Sequence, residues 1–146
     1  MKPMNFERLS SIILHCTASA YGKDLDVSDI RNMHLNRGWS DVGYHYLIQL
    51  DGTIQKGREL HYCGAHTRGH NNSVGIAYVG GLGPDNKTPQ DTMTNAQEEA
   101  LYYLVRSLRL VFGQLELTGH NDYANKACPS FKVAEKFPDA NDWGLH

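Results

Sequence analysis

The sequence predicts one mixed α/β domain, a central β-sheet flanked by helices. Three observations carry this. Apolar runs of strand length recur at Ser11–Cys16 and at residues 42–50, 74–79 and 115–118. A long segment after Thr94 has helical periodicity. The 146 residues contain no repeat, linker or low-complexity tract, so residues 1–146 read as a single domain of ordinary size.

Ser11–Cys16 reads as a short buried strand. Alternation sets Ile13 and His15 on one face and Ile12, Leu14 and Cys16 on the other. Ser28 reads as the N-cap of a helix carrying Ile30, Met33 and His34, stopped by Gly38. Residues 42–50 form a second strand, rich in aromatic and β-branched side chains, with Tyr44 and His45 on opposite faces. It runs into the hairpin signal Asp51-Gly52, and residues 53–56 return. A polar, glycine-rich stretch covers residues 57–72, and the strand at 74–79 ends at Gly80-Gly81. Residues 82–93 form a loop. Thr94 and Gln97 make a capping box for the clearest helix, whose buried stripe is Ala100, Leu101, Leu104, Val105, Leu108 and Phe112. Gly113 stops it. Residues 115–118 are the last strand, followed by a polar loop at 119–129. A short amphipathic helix with Phe131, Val133, Ala134 and Phe137 closes the domain before Pro138.

Composition narrows the function. The chain carries 14 basic and 16 acidic residues, a net charge of −2, which argues against a nucleic-acid partner. Its only early apolar run, Ile12-Ile13-Leu14, is too short for a signal-peptide core or a membrane span. The expectation is a monomer made in the cytoplasm, with no membrane insertion, that needs release by another agent to act outside. Three cysteines, Cys16, Cys63 and Cys128, cannot all pair within one chain, which points to thiols or to a thiolate on a metal.

The eight histidines are the conspicuous entry. A catalytic zinc takes three protein ligands from His, Cys and carboxylates and leaves one position open. His15 at a strand end, His120 just after the last strand and Cys128 in the loop beyond are suitably placed, because strand ends gather residues from distant parts of a chain. Each also has an ordinary reading as a hydrogen-bonded or buried side chain, and spacing does not choose between them. His61, His66 and His70 form a rival cluster, in which His61 and His70 read as plain loop polarity. His34 reads as packed, and His146 as a disordered terminus.

Five segments, in order, resemble the zinc amidases of the bacteriophage lysozyme and peptidoglycan-recognition-protein family. They are Ile13-Leu14-His15-Cys16-Thr17-Ala18-Ser19, Gly38-Trp39-Ser40-Asp41-Val42-Gly43-Tyr44-His45-Tyr46, Gly64-Ala65-His66-Thr67, Ser73-Val74-Gly75-Ile76-Ala77-Tyr78-Val79-Gly80-Gly81, and Gly119-His120 with Lys126-Ala127-Cys128-Pro129-Ser130-Phe131. The resemblance implies that family's α/β fold and one Zn²⁺ per chain held by His15, His120 and Cys128. It implies Tyr44 and Lys126 as catalytic residues, and His66 on the wall of the substrate groove. The implied substrate is bacterial peptidoglycan, cut at the amide between muramic acid and the first alanine of the stem peptide. Short members without a signal sequence serve phage lysis, acting on the wall after release. Some relatives only bind peptidoglycan, typically having lost the metal cysteine; Cys128 is present here. An enzyme for small soluble amides ranks third. Two departures stand out. The stretch Asn71-Asn72-Ser73 is one residue shorter than in many relatives, leaving open which asparagine faces substrate. Asn121-Asp122 follows His120 where many relatives carry a basic residue.

Overall fold

Ile12, Ile13 and Leu14 are fully buried, as expected of a strand covered on both faces. The computed structural model describes residues 1–144; His146 lies outside them. In chain order the elements are β1 (Ser11–Cys16), β2 (Ser19–Ala20), α1 (Val27–Asn36), β3 (Tyr46–Ile48), β4 (Ile54–Lys56), β5 (Val74–Tyr78), β6 (Gly81–Leu82), α2 (Asn95–Phe112), β7 (Glu116–Gly119) and α3 (Val133–Lys136). Short 3-10 turns occupy Phe6–Arg8, His120–Asp122 and Ala140–Asp142.

The main sheet has the order β4-β3-β5-β1-β7. All neighbours are parallel except the hairpin β3–β4, so the sheet is mixed as expected. A separate parallel pair, β2 with β6, was not foreseen, because two-residue strands carry no periodic signal.

The two faces of β1 separate as alternation requires. Ile12, Leu14 and Cys16 join the larger core with Leu101, Leu104, Val105 and Leu108 of α2. Burying each such leucine or valine contributes about 1.5–3 kcal/mol. On the opposite face, Ile30 of α1 packs on Val42, Leu47, Ala77 and Val79. The helix α2 begins with the expected Thr94–Gln97 capping box. Its Gln97 is fully buried and donates to the carbonyls of Ile48 and Val79, tying the helix to the ends of β3 and β5. At the other end Arg109 is buried and donates to the carbonyls of Leu115, Ala140 and Trp143. That pins the C-terminal segment under the sheet.

Several boundaries differ from expectation for local reasons. The N-cap of α1 is Asp26, paired with Asp29 in a reciprocal capping box, and Ser28 lies inside the helix. Met33 of that helix is exposed rather than buried. The expected strand at 42–50 shrinks to Tyr46–Ile48. Its first residues bond to loops instead: the Gly43 amide donates to His34, and the Tyr44 and His45 carbonyls accept from Arg58 and Gly57. The last strand is shifted by one residue, and the closing helix is a single turn. Among the described residues, no helix is long and apolar enough to cross a membrane.

Candidate metal centre

Parallel pairing sets the geometry of the centre. β1 and β7 run side by side with Leu14 opposite Gly119, so the next residue of each chain segment, His15 and His120, emerges at the same sheet end. Their rings lie 4.6 Å apart. Cys128 reaches them from the following loop, with its Sγ 3.7 Å from His15 Nδ1. One ligand atom from each of His15, His120 and Cys128 lies within 4.8 Å of the others. A tetrahedral zinc with bonds of about 2.0–2.3 Å would hold a nitrogen and a sulfur about 3.6 Å apart, so the donor set fits that ion.

The loop carrying Cys128 is anchored on all sides. Tyr78 Oη donates to the Pro129 carbonyl and Ser130 Oγ to that of Gly81. Asn121 Nδ2 donates to the Phe131 carbonyl at 3.0 Å, while Asp122 accepts from the Gly119 amide at 2.8 Å. The two residues that depart from the resemblance thus brace the His120–Cys128 loop.

The electrostatics suit a cation. Burial, then the neighbouring His66 and His120, hold His15 well below its ordinary pKa. Burial and the nearby Lys126 charge lower His120 as well. Both rings are therefore neutral near pH 7, with lone pairs available. The adjoining Cys16 thiol and burial push the Cys128 thiol up, so a thiolate there would need the charge of a bound ion to draw it out. The Cys16 amide donates to Cys128 Sγ at 3.2 Å and supports that charge.

Tyr44 lies beside the centre. The Tyr44 ring, half-buried, lies 5.2 Å from His15. Burial raises its phenol above the ordinary value, and the Cys128 and Cys16 thiols add to this, so it stays protonated and acts as a donor. Lys126 is exposed, two residues before Cys128.

His66 packs beside His15. It is 8% exposed. Its Nδ1 is 2.9 Å from His15 Nε2, and its Nε2 faces the Ser73 carbonyl at 3.3 Å. The Asn71 side chain accepts from the His66 and Thr67 amides at 2.9 Å, while Asn72 bonds to the Asn5 backbone. Both asparagine side chains are thus engaged in hydrogen bonds within the chain. His45 is fully buried and bonded to the Gly75 amide and the Tyr62 carbonyl. His34 accepts from the Gly43 amide. His61 and His70 are exposed and stack on Tyr62 and Tyr123, so the rival cluster does not form. Cys63 packs against the Pro3 carbonyl. Sequence reasoning missed Thr67, whose hydroxyl touches both His66 Nδ1 and His15 Nε2, and the contact of Cys16 with Cys128. Both depend on how loops fold back, which residue spacing does not encode.

A mixed sheet presenting two histidines and a cysteine at one end defines a small α/β protein with a candidate metal centre. The family model described as N-acetylmuramoyl-L-alanine amidase matches residues 5–131. The endolysin of Klebsiella phage KP32 is 40% identical over 128 residues, covering 87% of this chain and 84% of that one. Peptidoglycan-recognition protein SC1a of Drosophila melanogaster is 30% identical over 142 residues, covering 92% and 75%. The amidase LysC from Clostridium intestinale URNW superposes with a TM-score of 0.76 at 28% identity, covering 95% of this chain and 89% of that one. The chain belongs to the N-acetylmuramoyl-L-alanine amidase family.

Proposed function

We propose that this amidase uses one zinc ion, held by His15, His120 and Cys128, to cut the amide between muramic acid and the first alanine of the peptidoglycan stem, as a phage-type endolysin acting on the wall after release. The observation that carries the metal reading is the meeting of three donors, drawn from residues 15, 120 and 128, within 4.8 Å. The similarity to a phage endolysin over most of both chains supports the substrate and the setting.

A bound zinc supplies a water of lowered pKa and a Lewis acid for the carbonyl. The remaining work falls to the chain's own groups. Neutral His15 and His120 bind without first losing a proton. Lys126 brings a fixed positive charge to the edge of the centre, where attack on the amide carbon creates an oxyanion. The Tyr44 phenol, held protonated, orients the attacking water and donates toward the departing alanine nitrogen. The Cys16 amide and the anchored 128–130 turn keep the thiolate in place.

Digestion of purified cell wall tests the reading. Free alanine amino groups should appear without new reducing sugar ends, chelation should stop the release, and added zinc should restore it. Reducing ends would mark a glycosidase and overturn it. Full activity in protein shown by elemental analysis to hold no metal would remove the zinc.

A further inference from the structure

His66 is a buried histidine for which the proposed chemistry has no use, yet the surrounding structure is shaped to hold it. Two glycines leave room for its ring: a Cβ at Gly64 or Gly75 would fall 2.2 or 2.5 Å from His66 Cδ2. The Asn71 side chain holds its backbone.

The distances around its ring, with the Thr67 hydroxyl 2.9 Å from Nδ1 as a further possible donor, favour one arrangement. His66 Nε2 faces the Ser73 carbonyl at 3.3 Å and Ser73 Oγ at 3.4 Å. The Ser73 hydroxyl gives its own proton to the His70 carbonyl, so both neighbours of Nε2 are acceptors and Nε2 carries the proton. In the neutral ring Nδ1 is then bare. It lies 2.9 Å from His15 Nε2, and two bare nitrogens at that separation would repel. His15 Nε2 therefore carries a proton, aimed at His66 Nδ1 and at Thr67 Oγ1, 3.2 Å away. With Nε2 protonated, His15 has its lone pair on Nδ1, the atom 3.7 Å from Cys128 Sγ.

We propose that His66 is a positioning residue for the metal centre. By accepting the His15 Nε2 proton it fixes His15 in the one neutral tautomer whose Nδ1 can bind a metal beside Cys128. Histidine ligands elsewhere are oriented in this way by a partner on the second nitrogen, and losing that partner costs roughly 10- to 100-fold in metal affinity. The inference rests on the zinc reading above but makes a separate claim about His15 in the metal-free protein.

The test has two parts. In zinc-free, ¹⁵N-histidine-labelled protein, long-range proton–nitrogen correlation should show His15 protonated on Nε2 and bare on Nδ1. In His66→Phe that preference should relax toward a mixture. Chelator competition should show zinc binding weakened about 10- to 100-fold in His66→Phe. His66→Gln should keep affinity within a few-fold of the parent, because its amide oxygen can accept the same proton. Wild-type His15 protonated on Nδ1, or unchanged zinc affinity in a folded His66→Phe with a raised KM, would overturn the proposal. The latter result would return His66 to the substrate. Wild-type protein that binds no zinc would sink the metal reading instead, while the tautomer measurement would still decide the His66–His15 contact.

Discussion

Gly75 lies inside β5, where a glycine ordinarily weakens a strand. Its substitution by alanine isolates one contact. The three atoms nearest an added Cβ all belong to the His66 ring, at 2.5, 2.7 and 2.8 Å. Ordinary contact begins near 3.4 Å, so the ring has to move by almost an ångström, away from a hydrogen bond that is 2.9 Å long. Overpacking of this kind costs about 1–3 kcal/mol. Replacing glycine restricts the unfolded chain and returns about 0.4–1 kcal/mol, leaving a net loss of about 0.5–2 kcal/mol. At roughly 2.1 cal/mol/K per residue, a chain of 146 residues has an unfolding entropy of about 0.3 kcal/mol/K. Gly75→Ala should therefore lower the Tm of the zinc-free protein by about 2–6 °C. In a His66→Ala background the obstacle is gone, and the same substitution should become neutral or stabilising. Calorimetry on the four proteins of this cycle gives the coupling directly. An equal loss from Gly75→Ala in both backgrounds would refute the steric account.

Other outcomes follow from the site. Cys128→Ser should lose zinc and wall hydrolysis, since serine offers no thiolate. Cys16→Ser should keep both, because the backbone amide that donates to Cys128 Sγ is kept; elemental analysis with a turnover assay separates them. Lys126→Met should lower saturating turnover about 100- to 1,000-fold with zinc still bound, independent of salt. A loss confined to KM that fades at high salt would make Lys126 a surface attractor only. Tyr44→Phe should slow turnover about 100-fold or more with metal content unchanged. The zinc-free protein should also lose stability in acid. Burial holds His34 at about 4, with Arg37 adding to the effect, and burial holds His66 at about 3, with His45 adding. Below about pH 6.5 the unfolded chain takes up protons that the folded one refuses, so stability falls from there toward pH 4. Urea midpoints that stay level between pH 7 and 4.5 would contradict this.

The parts of this molecule with a repeating physical signal were legible in its sequence. The alternation of Ile12 to Cys16 predicts both faces of β1, and the Thr94–Gln97 box with its leucine stripe predicts α2. The extent of β3 was not legible, because the carbonyls of Tyr44 and His45 bond to a loop some dozen residues on. Nor did residue types reveal the layer behind the donors. Gly75 looks like a strand defect until the His66 ring is seen lying against it. His15, His120 and Cys128 could be nominated from their positions at strand ends, yet only the register of Leu14 with Gly119 brings the first two together.

That register also has a consequence for chain connectivity. His15 and Cys128 are 113 residues apart, so an ion held by both ties nearly the whole chain into a ring. An unfolded chain could keep all three donors on such an ion only by closing that loop, at an entropic cost of about 5 kcal/mol. Such an ion would therefore favour the folded form. A bound ion would thus act as a removable staple between the first strand and the last loop. Its hold would grow with free metal concentration by mass action, and it could form only after synthesis has passed residue 128.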